Sequence, residues 1–278
     1  MAFKKVIGIT DEKQEVSYYI VEEIEKLGFA DCIFTARSGG VSTGGYSSLN
    51  LALSTDDAND NIIMNRQIIA AQLGIAPQSL IYAQQTHSDN IYVVTQTDIG
   101  RGALEYSDGI ADVDAFITDQ PQLAMGLSFA DCVPVFALDP IKKAVAIIHS
   151  GWKGTAIRIV EKTIAAMQRQ YGSQASDIII AIGPSIRSCC YTVGSDVRDE
   201  FIANYGDAAD NFFVQVGADE LWNLSMQAAI SFQALNAGVK QHSIIDSAMC
   251  TCCMQDDFFS HRRDNGISGR MNAIARLK

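Results

Sequence analysis

Leu123-Ala-Met-Gly-Leu-Ser-Phe129-Ala-Asp-Cys132-Val-Pro-Val-Phe-Ala-Leu138-Asp-Pro-Ile-Lys-Lys-Ala144-Val-Ala-Ile-Ile-His149 is the stretch on which the fold turns. Its three apolar runs, 123–129, 133–138 and 144–149, are short, rich in Val, Ile and Phe, and separated by polar or Pro-containing breaks. Each reads as a strand. Upstream, Ile91–Thr95 and Ala115–Thr118 read the same way, as does the buried-looking run Ile178–Ile182 downstream.

Helices surround this block. Ile157, Val160, Ile164 and Met167 fall on one helical face that Gly172 stops, and Asn61–Leu73 ends at Gly74. Asp219–Ala237 predicts a long helix closed by Gly238. Thr10-Asp-Glu12 followed by Val16, Ile20, Ile24 and Leu27 predicts a capped amphipathic helix. Cys32–Thr35 reads as a short strand, and the paired glycines of residues 38–48 demand a loop. Without strict βαβ alternation the expectation is a mixed α/β (α+β) fold. It is divided as a helical N-terminal extension, 1–30, and a single domain, 31–278.

The formal charge of −11 leaves no surplus of Lys and Arg for a nucleic-acid backbone, so any anionic ligand needs a local basic pocket. No apolar run reaches membrane-span length. Glu22, Glu23 and Glu25 interrupt what a signal peptide would keep apolar. The expectation is a cytoplasmic protein with reduced cysteines, monomer or homodimer.

Of four histidines, His87 and His149 stand at edges of expected strands, and Cys132 lies between two strands. Imidazole and thiolate are the donors zinc prefers, and three protein ligands leave a fourth position open for chemistry. The same residues also suit a cysteine nucleophile with a histidine base. Both readings put His87, Cys132 and His149 at the catalytic centre. Cys250-Thr-Cys252-Cys253 and Cys189-Cys190 could hold a second metal. Adjacent cysteines diverge on a strand, however, which favours structural thiols. Arg37, Lys153 and Arg263, each near glycine or in an Arg-rich turn, are the expected phosphate-binding cations.

Ala36-Arg-Ser-Gly-Gly-Val-Ser42, Gln84-Gln-Thr-His87, Ala130-Asp-Cys-Val-Pro134, His149-Ser-Gly-Trp-Lys-Gly154, Cys190-Tyr and Phe258-Phe-Ser-His-Arg-Arg263 occur in the order of one family. From about Phe34 onward the chain resembles the YfiH-like, laccase-domain proteins. That resemblance implies a three-layer mixed fold and a zinc centre on His87, Cys132 and His149. It further implies phosphorolysis of adenosine, inosine, guanosine and methylthioadenosine, with adenosine deamination. Ser150, Lys153, Phe129 and Thr192 depart from the family's usual Ala, Arg, Thr and acidic residue. Copper is disfavoured by counting: a blue copper site would leave two histidines for a trinuclear cluster. The alternatives are a metal-free Cys–His hydrolase or deamidase acting on cell-wall precursors, and a polyphenol oxidase.

Overall fold

The computed structural model describes residues 3–10, 15–217 and 220–278. In chain order the elements begin with β1 (Phe3–Ile9), β2 (Glu15–Val21), α1 (Glu22–Glu25), β3 (Ala30–Thr35), α2 (Asn59–Gln72), β4 (Ile81–Gln84), β5 (Ile91–Val93) and β6 (Ile110–Ala111). There follow β7 (Ala115–Thr118), β8 (Met125–Phe129), β9 (Val133–Asp139), β10 (Ala144–Ser150), α3 (Trp152–Ala156), α4 (Ile159–Tyr171) and β11 (Ile179–Ile182). The chain closes with β12 (Thr192–Gly194), α5 (Ser195–Tyr205), β13 (Phe213–Gln215), β14 (Leu221–Leu224), α6 (Met226–Asn236), β15 (Ile244–Asp246) and β16 (Met271–Leu277).

Two large sheets stack face to face. One has the order β1-β2-β3-β16-β8-β4-β6 and the other β15-β11-β9-β10-β7-β5, both mixing parallel and antiparallel pairs. The central strands bury both faces, so they read as continuous apolar runs rather than alternating ones. In β10, Val145 and Ile147 point to the core between the sheets, against Phe34, Phe129 and Phe258. Ala144, Ala146 and Ile148 point the other way, to a core shared with Ile164 of α4 and Ile230 of α6. The mixed α/β class is as expected, with sheet, sheet and helices as successive layers. In addition, α2 covers the outer face of the first sheet through Ile69 and Ala70.

Two expectations fail. Of the helix expected over residues 10–27, only the single turn α1 is formed where the chain is described; instead β1 and β2 pair as an antiparallel hairpin, Lys5 opposite Tyr19, and β2 joins β3. Tyr18-Tyr-Ile-Val21 is a run of β-formers, and a free sheet edge outweighs the fortuitous four-residue spacing of Val16, Ile20 and Ile24. The hairpin belongs to the main sheet, so the N-terminus is not a helical extension. Likewise the helix expected from Asp219 starts only at Met226: Ser225 caps it by accepting from the Ala228 N–H at 3.2 Å. Leu221–Leu224 is the middle strand of a small three-stranded sheet, while Asp219 lies outside the described residues.

The β9–β10 turn sets the register that matters. Asp139 Oδ1 accepts from the backbone N–H of Ile141 and Lys142 at 2.8 and 2.9 Å, an Asx turn that closes the hairpin. Ala144 then pairs with Asp139 and, at the far end, His149 with Pro134.

Candidate metal centre

That register brings His149, near the end of β10, alongside Cys132, which immediately precedes β9. On the other flank of β10, Ile148 pairs with Ala115 of β7, and the His149 N–H donates to the Asp114 carbonyl at 2.7 Å. Strand β5 lies parallel to β7, with Ile91 beside Ala115, and so carries the 85–90 turn to the same corner. The Gln85 amide grips both main-chain groups of Ser128 on β8, at 2.8 and 3.0 Å, and fixes the start of that turn. His87 is thereby delivered to Cys132 with Sγ···Nε2 of 3.8 Å. The His87 and His149 rings meet edge to face at 4.9 Å. One donor atom from each of His87, Cys132 and His149 lies within 4.8 Å of the other two.

Asp114, fully buried, organises this group. Its Oδ1 accepts from His149 Nδ1 at 2.7 Å, which leaves Nε2 as the free donor. Its Oδ2 accepts from the Thr86 N–H at 3.1 Å and from the Ser88 N–H and hydroxyl at 2.7 and 2.9 Å. These backbone bonds bracket His87, whose φ of 62° is a left-handed conformation that a non-glycine residue adopts only when held. A single carboxylate therefore orients one imidazole directly and the other through its backbone.

The electrostatics follow from this packing. Burial opposes the charged form of each group, but their mutual attraction prevails. His149 and His87 pull the Cys132 thiol down to about 6. Burial acts to lower His149, yet Cys132 and Asp114 raise it to about 9. Asp114, despite burial, falls to about 2 through its bonds to His149 and Ser88. These shifts favour the charged forms, with the His149 ring between the Cys132 sulfur and the Asp114 carboxylate.

Asp131, beside Cys132, has no catalytic freedom. Its Oδ1 accepts from the Thr251 hydroxyl at 2.6 Å, and its Oδ2 from the Ser260 hydroxyl at 3.0 Å and the Arg262 N–H at 2.7 Å. It ties the Cys132 turn, with its own φ at 83°, to the C-terminal segment.

A pocket of about 300 Å³ opens at the centre, lined among others by His87, Cys132, Trp152, Tyr191, His261 and Arg262. Arg262 lies over the Tyr191 ring at 4.9 Å, and its Nη1 donates to the Thr192 carbonyl at 2.9 Å. Its other guanidinium nitrogens have no hydrogen-bond partner among the described residues. Arg37 and Arg263 are not in this lining. They share a separate, open pocket, where Arg37 donates to the Ser47 and Gln255 carbonyls and Arg263 to the Thr251 and Phe258 carbonyls and to Asp264. Lys153 is exposed on α3, 5.6 Å from the Trp152 ring. Sequence reasoning missed Asp114, and of the candidate C-terminal arginines Arg262, Arg263 and Arg270 it preferred Arg263 to Arg262. Arg262 stood in a motif already singled out, whereas nothing local to Asp114 ties it to His149.

A family profile for the multi-copper polyphenol oxidoreductase laccases matches residues 31–278. The chain belongs to the multi-copper polyphenol oxidoreductase laccase family. Within it, the chain is 36% identical over 245 residues to the purine nucleoside phosphorylase YlmD of Bacillus subtilis, covering 88% of this chain and 87% of that protein. It is 32% identical to an adenosine deaminase, RL5, from an unknown prokaryotic organism, over 89% of this chain and 96% of that one. Among solved structures, the hypothetical protein YfiH of Bacillus licheniformis superposes with a TM-score of 0.90 at 37% identity, over 94% and 96% of the two chains.

His242 and His261 stand outside the His87–Cys132–His149 donor set, and the other metal-competent group among the described residues contains no histidine. Nor is any helix among those residues long and apolar enough to cross a membrane.

Proposed function

We propose that this chain is a zinc-dependent purine nucleoside enzyme that phosphorolyses adenosine, inosine, guanosine and methylthioadenosine and deaminates adenosine. The observation that carries the reading is the three-donor centre, two of whose residues, His87 and Cys132, line the Trp152–Tyr191 pocket. Two relatives named for these two activities support it. The donor set fits zinc: metal–sulfur and metal–nitrogen bonds of about 2.3 and 2.05 Å at a tetrahedral angle place sulfur and nitrogen about 3.6 Å apart. The Sγ···Nε2 separation of 3.8 Å between Cys132 and His87 is close to that. When bound by His87, Cys132 and His149, zinc supplies a Lewis acid with one coordination position left for a non-protein ligand.

The chain's own groups supply the rest. Trp152, Tyr191, Ile186 and Met226 form apolar walls suited to a planar base. Arg262 supplies the cation for phosphate, in place of Arg37 and Arg263, and Arg270 adds positive charge within electrostatic reach of Cys132. In phosphorolysis a phosphate oxygen attacks the anomeric carbon as the glycosidic C–N bond breaks, and charge-assisted contacts to Arg262 would hold that nucleophile in place. Thr192 cannot act as an acid or base; its hydroxyl donates to Asn223 Oδ1 at 2.8 Å.

The Cys132–His149–Asp114 line favours a second reading, a metal-free cysteine hydrolase or deamidase, because a thiolate beside an imidazolium is an activated nucleophile. One experiment separates the two. Under the zinc reading, chelation abolishes nucleoside turnover and exposes Cys132 to iodoacetamide, followed by peptide mass mapping. Fast alkylation of Cys132 in a metal-free sample that turns over its substrate before labelling would sink the zinc reading.

A further inference from the structure

Four cysteines outside the catalytic pocket converge on one point. The sulfurs of Cys189, Cys190, Cys250 and Cys253 all lie within 4.8 Å of one another, with Cys190 and Cys189 at 3.3 and 3.7 Å from Cys253. The topology makes the meeting. Strands β11 and β15 run parallel, Ile180 beside Ile244, and the pairing resumes beyond them as a bridge between Ser185 and Cys250. That bridge sets the turn closed by the Cys190 N–H on the Arg187 carbonyl, at 2.9 Å, against the turn closed by the Met254 N–H on the Cys250 carbonyl, at 3.0 Å. Both cysteine pairs lie in turns rather than strands, so adjacent side chains need not diverge. Cys250 and Cys253 moreover have the Cys-x₂-Cys spacing with which a turn presents two thiols to one side.

We propose that Cys189, Cys190, Cys250 and Cys253 bind a second zinc ion, in a closed tetrathiolate site that braces the catalytic pocket. Distance restricts the occupant to a single tetrahedral ion, and zinc is the ion that closed four-cysteine structural sites usually hold. Four sulfurs about 2.3 Å from one tetrahedral ion stand about 3.8 Å apart, close to the separations found. An iron–sulfur core places iron and sulfide atoms between the thiolates and so needs a wider ring. Four protein ligands leave no position for a substrate, which makes the site structural.

The surroundings prepare one thiolate and leave others to be deprotonated by the ion: burial and the neighbouring thiols push Cys189 up to about 11 and raise Cys190 as well. Burial opposes ionisation of Cys250, yet backbone N–H groups of Cys253 and Arg187 hold its thiol below the ordinary value. The Arg187 side chain lies within electrostatic reach of Cys250 and Cys189 and is fixed by two bonds of 2.8 Å to Asp246. Four thiolates on a divalent ion carry a net charge of −2, which Arg187 offsets in part.

The position explains the purpose. Cys190 is followed by Tyr191, a wall of the pocket, and Cys250 by Thr251, whose hydroxyl holds Asp131 next to Cys132. An ion clamping the two turns would fix both the wall and the anchor. This proposal does not depend on the nucleoside reading, and its test measures no turnover.

The test is zinc content by elemental analysis and native mass spectrometry, on full-length protein purified with reductant and without chelator. The wild type should carry about two zinc ions per chain, and Cys132→Ala and Cys253→Ala about one each. X-ray absorption of Cys132→Ala should show a shell of four sulfurs at about 2.3 Å. If Cys253→Ala does not fold, Cys132→Ala alone decides. Its four cluster thiols should resist alkylation until zinc is stripped in denaturant. A Cys132→Ala protein without zinc, with iron instead, or with a disulfide among these four cysteines would overturn the proposal.

Discussion

Asp114→Asn is the sharpest test of how the centre is built. The side chain keeps its size, so the packing of β7 against β10 is unchanged, but the acceptor pair becomes one acceptor and one donor. If the amide oxygen faces His149, the NH₂ group confronts the Thr86 N–H and the Ser88 N–H and hydroxyl, all three of which donate to Oδ2 in the native structure. If it flips, the NH₂ faces His149 Nδ1, now 2.7 Å from Oδ1, and forces the proton onto Nε2, the atom needed as a ligand. Either orientation spoils one histidine. Loss of such an outer carboxylate costs about 10–100-fold in metal affinity, or about 1.4–2.7 kcal/mol. A buried donor left unpaired adds about 1–3 kcal/mol of lost stability. The assay is competition for zinc against a chromophoric chelator, with thermal melts of the metal-free and metal-loaded forms. Asp131→Asn is the control: its oxygens serve Thr251, Ser260 and the Arg262 backbone, none of them a metal donor. It should lower the melting temperature while changing zinc affinity far less. Native-like zinc affinity in Asp114→Asn would refute the assignment of Asp114 as the group orienting both histidines.

Gly151→Ala would place a Cβ 2.8 Å from His87 Cδ2 and 3.1 Å from Cys132 Sγ. Because φ at Gly151 is an ordinary −71°, the metal-free fold should melt nearly unchanged while zinc affinity falls about tenfold or more, about 1.4 kcal/mol; unaltered affinity would contradict the geometry. Arg262→Ala should raise the KM for phosphate about tenfold or more with little effect on deamination, from a lost charge-assisted contact of about 1.5–3 kcal/mol. Arg37→Ala should leave that KM close to native, and the reverse ranking would restore Arg37 as the phosphate ligand. In metal-free protein His149 holds its proton to about pH 9, so zinc binding must release it and affinity should climb with pH up to that point. By the same shift, the stability that the His149 cation contributes is present at neutral pH and lost as pH rises through about 9. Calorimetric affinities flat from pH 6 to 9 would speak against this protonation state.

The central strands and the donor triad were legible in the amino-acid sequence for a physical reason. Strands buried on both faces must be apolar along their whole length, as 133–138 and 144–148 are. Histidine and cysteine at the ends of such strands have little apolar reason to be there. The mixed class followed from the same local signals. What was misread turned on competition between elements. Residues 15–21 satisfy a helical spacing, but an open edge on β3 offers backbone partners that only the assembled sheet reveals. Leu221–Leu224 is a strand because β12 and β13 flank it. Asp114 lies 35 residues from His149, and nothing near it in the chain marks it as that histidine's partner; the β7–β10 register does. Arg37 and Arg263 look like anion ligands in sequence, yet tertiary structure spends their donors on carbonyls and leaves Arg262 in the pocket. Cys189-Cys190 and Cys250–Cys253 are separated by some sixty residues, and the parallel pairing of β11 with β15 is what makes them neighbours. Residue types set which chemistries were possible; strand register decided which side chains could perform them together, because ligand distances depend on pairings that no local stretch encodes.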